Sequence, residues 1–104
     1  MGHDDDAPRP GFDFWASFRG QGVYTNPVLN INGTQQSFDG YTTDILTDVA
    51  LDWLKQDHSE DNPYLLYLSY KAVHYPFQPS PRDEHRYRDE AIDYPETMAN
   101  TERN

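Results

Sequence analysis

From Thr43 to about Gln56, Ile45, Leu46, Val49, Ala50, Trp53 and Leu54 form an apolar series. That spacing, i, i+1, i+4, i+5, i+8, i+9, returns to one side of a helix at each turn and predicts an amphipathic helix. Thr42 or Thr43 is placed to cap its start, while Asp44 in the first turn and Lys55 near the end complement the helix dipole. A helix with one apolar stripe needs a sheet to lie on. Ahead of it, Pro27-Val28-Leu29-Asn30-Ile31 and Thr34-Gln35-Gln36-Ser37-Phe38 flank Asn32-Gly33, the dipeptide of a two-residue hairpin turn. Behind it, Asp57 to Pro63 reads as a polar loop that leaves His58 in solvent. Tyr64-Leu65-Leu66-Tyr67-Leu68-Ser69-Tyr70 then forms a near-continuous apolar run of strand length, the pattern of a strand buried on both faces. Helix followed by buried strand is half of an α/β unit, so the expected fold class is α/β.

The remaining segments are less regular. Phe12 to Arg19 is aromatic-rich and reads as a short strand ended by Gly20 and Gly22. The leading His3-Asp4-Asp5-Asp6 reads as a solvated acidic loop, because four adjacent residues cannot all turn toward one ion without special backbone geometry. Beyond Ser80 the charges alternate in sign through Pro81 to Arg88, with room for one helical turn, and no later apolar element closes a domain.

Composition sharpens this picture. The 104 residues allow one small domain at most. Leu, Ile, Val and Phe number 19, about 18%, which with a net charge of -10 falls inside the range of disordered chains. Eight Tyr, five Phe and two Trp argue against disorder, since such rings bury large areas. Both facts fit a piece of a larger domain, one carrying aromatic core residues without the layers that would cover them. The acidic balance excludes nucleic acid as a partner, because phosphate binding needs a basic surface. With no Cys there is no disulfide, thiolate metal site or cysteine nucleophile. No apolar run approaches the roughly 18 residues of a membrane span, so no membrane association is expected.

Among residues able to carry chemistry, His74 stands out. It follows the apolar run directly, and open α/β sheets bind ligands at the carboxyl ends of their strands. As imidazolium it can donate a hydrogen bond to an anionic oxygen, and Lys71, three residues earlier, adds positive charge in an acidic chain. A loop histidine and a solvent-facing lysine are the plainer readings of the same pair. The carboxylates show no spacing that singles out an acid/base dyad, Ser69 lacks a Gly-x-Ser-x-Gly surround, and no Gly-rich phosphate loop occurs.

Five stretches in order, Ala7-Pro8-Arg9-Pro10-Gly11-Phe12-Asp13, Gly20-Gln21-Gly22-Val23-Tyr24, Gly40 to Asp48, Leu68 to Phe77 and Tyr94 to Asn100, resemble the sulfatase family of the alkaline-phosphatase-like superfamily. The resemblance spans essentially the whole chain. It implies a partial sulfatase catalytic domain over residues 1–104, part of an alkaline-phosphatase-like sandwich, starting just after the family's Gly-Lys-Trp-His motif and ending before its second metal-ligand motif. It also implies hydrolysis of sulfate esters, with His74 in the family's His-x-Pro position contacting the sulfate group. Lys71 receives no firm role from it and stands as a substrate-binding candidate by proximity.

The family's Cys- or Ser-x-Pro-x-Arg segment, matured to formylglycine, and its calcium-holding aspartates have no counterpart in the chain. The resemblance therefore implies calcium and formylglycine in the intact enzyme, no cofactor or metal bound here, and an isolated chain that is inactive and marginally folded. A sulfated small molecule or glycan is the expected substrate, and a bacterial full-length member is expected in the periplasm or outside the cell. Three alternatives stay open: an independent acidic binding module, a truncated gene product without a role, and a relative acting on phosphate esters.

Overall fold

The computed structural model describes residues 5–58 and 61–98. Four elements follow one another: β1 (Ala16–Ser17), β2 (Val28–Ile31), β3 (Thr34–Ser37) and α1 (Thr42–Leu54). The strands form one antiparallel sheet in the order β1-β2-β3. Its centre is the expected hairpin, with Val28 opposite Ser37, Leu29 opposite Gln36, Asn30 opposite Gln35 and Ile31 opposite Thr34. Asn32 and Gly33 both take positive φ, 51° and 94°, as a turn matched to the twist of its strands requires. The turn is tied down twice: the Gly33 N–H donates to Asn30 Oδ1 at 2.7 Å, and Asn32 Oδ1 accepts from the Trp15 N–H at 2.8 Å.

The half-polar strands have a purpose that composition alone did not disclose. Asn30 and Gln35 are cross-strand partners on one face of the sheet; Gln35 Nε2 donates to the Asp6 carboxylate at 2.8 Å, and Asn30 helps hold that carboxyl below its ordinary range. Asp6 is only 6% exposed, which corrects the expectation of a solvated acidic loop at that position. Its backbone carbonyl accepts from Trp15 Nε1 at 3.0 Å and from Ser17 Oγ at 2.6 Å. His3 and Asp4 lie outside the described residues.

On the opposite side, Leu29 is fully buried against Ile45 and Leu46 of α1, and half-buried Phe18, Ile31 and Phe38 close the cluster. The helix thus lies on the hairpin with part of its expected stripe, while Leu54 is exposed. Its cap differs from expectation. Tyr41 is the N-cap and makes no side-chain cap bond. Thr42 sits inside the first turn, almost fully buried, and spends its hydroxyl on the Val23 carbonyl at 2.7 Å. A buried hydroxyl finds a partner wherever packing places one, so tertiary contact overrode capping preference.

The second half of the chain departs furthest from expectation. Residues Tyr64–Tyr70 are in no ladder, and Leu65 and Tyr67 are 84% and 80% exposed. A strand buried on both faces needs hydrogen-bonding neighbours at its edges and a layer on each side. Among the described residues neither is supplied, so the expected buried strand is an extended, uncovered segment. His58 also departs from its expected place in solvent: it is half-buried, with its ring 4.3 Å from that of Trp53 and 4.8 Å from that of Tyr64. The Cα radius of gyration is 18.3 Å, against about 13 Å for a compact domain of this length. One small core and a long uncovered segment match an α/β architecture that is only partly present. Among the described residues no helix is long and apolar enough to cross a membrane.

Candidate functional site

The sequence placed His74 and Lys71 in one short loop, and the structure shows what shapes it. The His74 N–H donates to the Lys71 carbonyl at 2.9 Å, closing a turn that carries both side chains at its ends. His74 is exposed. Its Nδ1 lies 2.6 Å from the Tyr75 carbonyl oxygen. A carbonyl only accepts, so Nδ1 carries the proton and Nε2 is left facing away from that bond. Nε2 then donates to an anion only as imidazolium. Lys71 is half-buried, and its ammonium stands 4.8 Å from the centre of the Tyr24 ring, a cation–π placement. The plainer reading of Lys71 as a lysine reaching into solvent is therefore replaced by one in which it is held against an aromatic face.

The loop is tied to the hairpin–helix unit by residues that sequence patterning did not single out. The Tyr24 hydroxyl donates to the His74 carbonyl at 2.5 Å, and the Tyr41 hydroxyl to the Gln78 carbonyl at 2.8 Å. The guanidinium of Arg82 grips the Asp44 carboxylate with two bonds of 2.6 and 2.8 Å. That fork holds the Asp44 carboxyl below the usual carboxylate range and raises the Arg82 guanidinium further above its ordinary value. Asp83 is lowered as well, first by the Ser80 hydroxyl at 2.7 Å and then by its arginine neighbours. Tyr70 completes the set with a 2.9 Å hydroxyl contact to Thr47. Tyrosines and a lone Asp–Arg pair 38 residues apart carry no periodic signal, which is why pattern reading missed them.

Asp6 is the other group with a shifted titration. The Gln35 amide, followed by burial acting the other way and then by Asn30, holds its carboxyl below the ordinary range. An open hollow of about 510 Å³ lies beside it, lined also by Phe18, Arg19 and Val23. Lys71 and His74 are not part of that hollow, and the Asp6 carboxylate is already engaged by Gln35 and, at 3.7 Å, by Arg19. Among the described residues no group of three or more His, Asp or Glu side chains comes together to hold a metal ion.

Comparison with known proteins gives this geometry a family. The sulfatase of Escherichia coli (strain K12) named YdeN is 37% identical over 68 residues, covering 64% of this chain and 12% of the relative. The N-acetylglucosamine-6-O-sulfatase of Bacteroides thetaiotaomicron is 35% identical over 75 residues, covering 69% of this chain and 13% of the relative. The solved structure of BT4656 in complex with its substrate D-glucosamine-2-N,6-O-disulfate superposes with a TM-score of 0.77 at 28% identity, over 89% of this chain and 19% of that one. A match of that extent takes in the extended half of the chain as well as the hairpin–helix unit. The chain spans less than a fifth of each of these proteins. The family model for sulfatases matches residues 2–102, and the chain belongs to the sulfatase family.

Proposed function

We propose that this chain is the His74-bearing part of a sulfate-ester hydrolase's catalytic domain, and that His74 and Lys71 meet the sulfate group there. The observation that carries the reading is the Lys71–His74 turn, in which Nδ1 is committed to the Tyr75 carbonyl. His74 is thereby held with Nε2 directed elsewhere, ready to donate to a sulfate oxygen in the imidazolium form. Lys71, held over Tyr24, adds a second positive charge in a chain whose net charge is -10. Charge developing on sulfate oxygens during ester cleavage is stabilised by such fixed donors. In the family to which the chain belongs, calcium and formylglycine supply the Lewis acid and the nucleophile. This chain's own residues supply anion contact only, so the isolated chain binds without turnover. A sulfated amino sugar is the substrate class we assign, supported by the sugar bound in the structural neighbour and the substrate in the Bacteroides relative's name.

The test is a titration of inorganic sulfate into the chain, followed on the ring signals of His74. A saturable shift is expected, and calorimetry should show His74→Ala weakening sulfate binding to what Lys71 alone supports. Sulfate that leaves the His74 ring untouched, or measurable hydrolysis of 4-nitrophenyl sulfate by the pure chain, would overturn the reading.

A further inference from the structure

We infer that Tyr24 is a positioning residue that aims the His74 imidazole, with Tyr41 as its brace. The inference rests on the assignment of His74 as the sulfate contact. Tyr24 is 5% exposed, and its backbone is locked to the start of α1: the Thr42 N–H donates to the Tyr24 carbonyl at 2.8 Å, and the Thr42 hydroxyl to the neighbouring Val23 carbonyl at 2.7 Å. Thr42 is itself almost fully buried, so the anchor belongs to the core. From that anchor the Tyr24 hydroxyl reaches 50 residues along the chain to the His74 carbonyl.

The hydroxyl is one of the contacts by which the hairpin–helix unit holds this loop's backbone. Val73, Tyr75 and Phe77 are 82%, 74% and 71% exposed, so side-chain packing does not orient the segment. Its direction is set by backbone contacts, at His74 from Tyr24 and at Gln78 from Tyr41. The two tyrosine rings lie nearly parallel, 15° apart in plane and 6.2 Å between centres, so each limits the tilt of the other. Pinning the His74 carbonyl fixes the peptide that leads to Tyr75. The Tyr75 carbonyl in turn accepts the Nδ1 proton. The ring is thus held between two carbonyls, one fixed by Tyr24 and the other its own acceptor, and the direction of Nε2 follows. Lys71 on the face of the Tyr24 ring places both cationic candidates on the same tyrosine.

Tyr24→Phe removes the hydroxyl and keeps the ring, its stacking and the lysine contact. Inorganic sulfate is titrated into the full chain in four forms: unaltered, Tyr24→Phe, His74→Ala and both together. Loss of Tyr24's hydroxyl is expected to weaken sulfate binding about 5- to 10-fold, the scale of one hydrogen bond, and to have no effect in the His74→Ala background, where Lys71 carries the residual affinity. An equal loss in both backgrounds would show a role in general stability and overturn the inference, as would no loss in either. A second readout, amide exchange across residues 71–78, should quicken in Tyr24→Phe while the hairpin and α1 stay protected. If His74→Ala alone leaves sulfate affinity unchanged, the assignment of His74 fails and the aiming role falls with it, while exchange still reports whether Tyr24 pins the loop. Unchanged exchange alongside a sulfate-sensitive His74 refutes the positioning role by itself.

Discussion

Leu29→Ala tests whether the hairpin–helix unit is the part of this chain that carries its stability. Leu29 is 0% exposed and sits at the centre of the cluster with Ile45 and Leu46. Truncation removes the equivalent of three methylenes, about 2.4 kcal/mol at ~0.8 each, and leaves a cavity that raises typical losses to about 3–5 kcal/mol. Here the surrounding Phe18, Ile31 and Phe38 are half-exposed and free to settle inward, which places the loss near the lower end, about 3 kcal/mol. A unit of some fifty residues holds roughly 3–8 kcal/mol in all, at roughly 0.05–0.15 per residue. The substitution should therefore take away more than about a third of its stability and speed exchange of the β2, β3 and α1 amides by roughly 100-fold. Leu65→Ala is the paired control. Leu65 is 84% exposed, so its loss should stay within about 0.5 kcal/mol. Equal acceleration of exchange by the two substitutions would refute the reasoning, because it would place the extended segment inside a packed core.

Further outcomes follow from the same contacts. Asp44 titrates below its ordinary range in the folded chain because Arg82 grips it, so its contribution is present above the unfolded carboxylate value of about 4 and disappears as pH falls through the folded one. Amide signals of residues 80–86 should shift in that acid window, and Asp44→Asn should release them at neutral pH and erase the acid step; an unaltered step in the variant would count against the Arg82 tether. Gly22 has φ +63°, and a Cβ there would stand 2.5 Å from the Phe18 ring. Gly22→Ala should thus destabilise by about 2–4 kcal/mol, combining backbone strain with overpacking. Gly11→Ala, at φ +90° with open space around it, should show the backbone part alone, and equal urea midpoints for the two would contradict the Phe18 contact.

Local chemistry was legible in the sequence wherever the signal lies within a few residues. Asn32-Gly33 requires positive φ at both positions, and the apolar spacing of Ile45, Leu46 and Ala50 selects one helical face, so hairpin and helix were readable and are present. The place of His74 in the loop after the Tyr64 to Tyr70 run was also readable, while its contact with sulfate stands as a proposal. Tertiary structure decided the rest, because the partners are far apart in sequence. Asp6 is buried by Asn30 and Gln35 from another part of the chain, Thr42 gives its hydroxyl to Val23 instead of capping, and Tyr24 and Asp44 reach the loop beyond residue 70. The run from Tyr64 to Tyr70 shows the limit from the other side. Its residues prescribe burial on two faces, yet a strand is made by its neighbours as much as by itself, and among the described residues no strand pairs with this one. Periodicity records what a segment demands of its surroundings, and only the assembled chain shows whether hydrogen-bond partners and covering layers meet that demand.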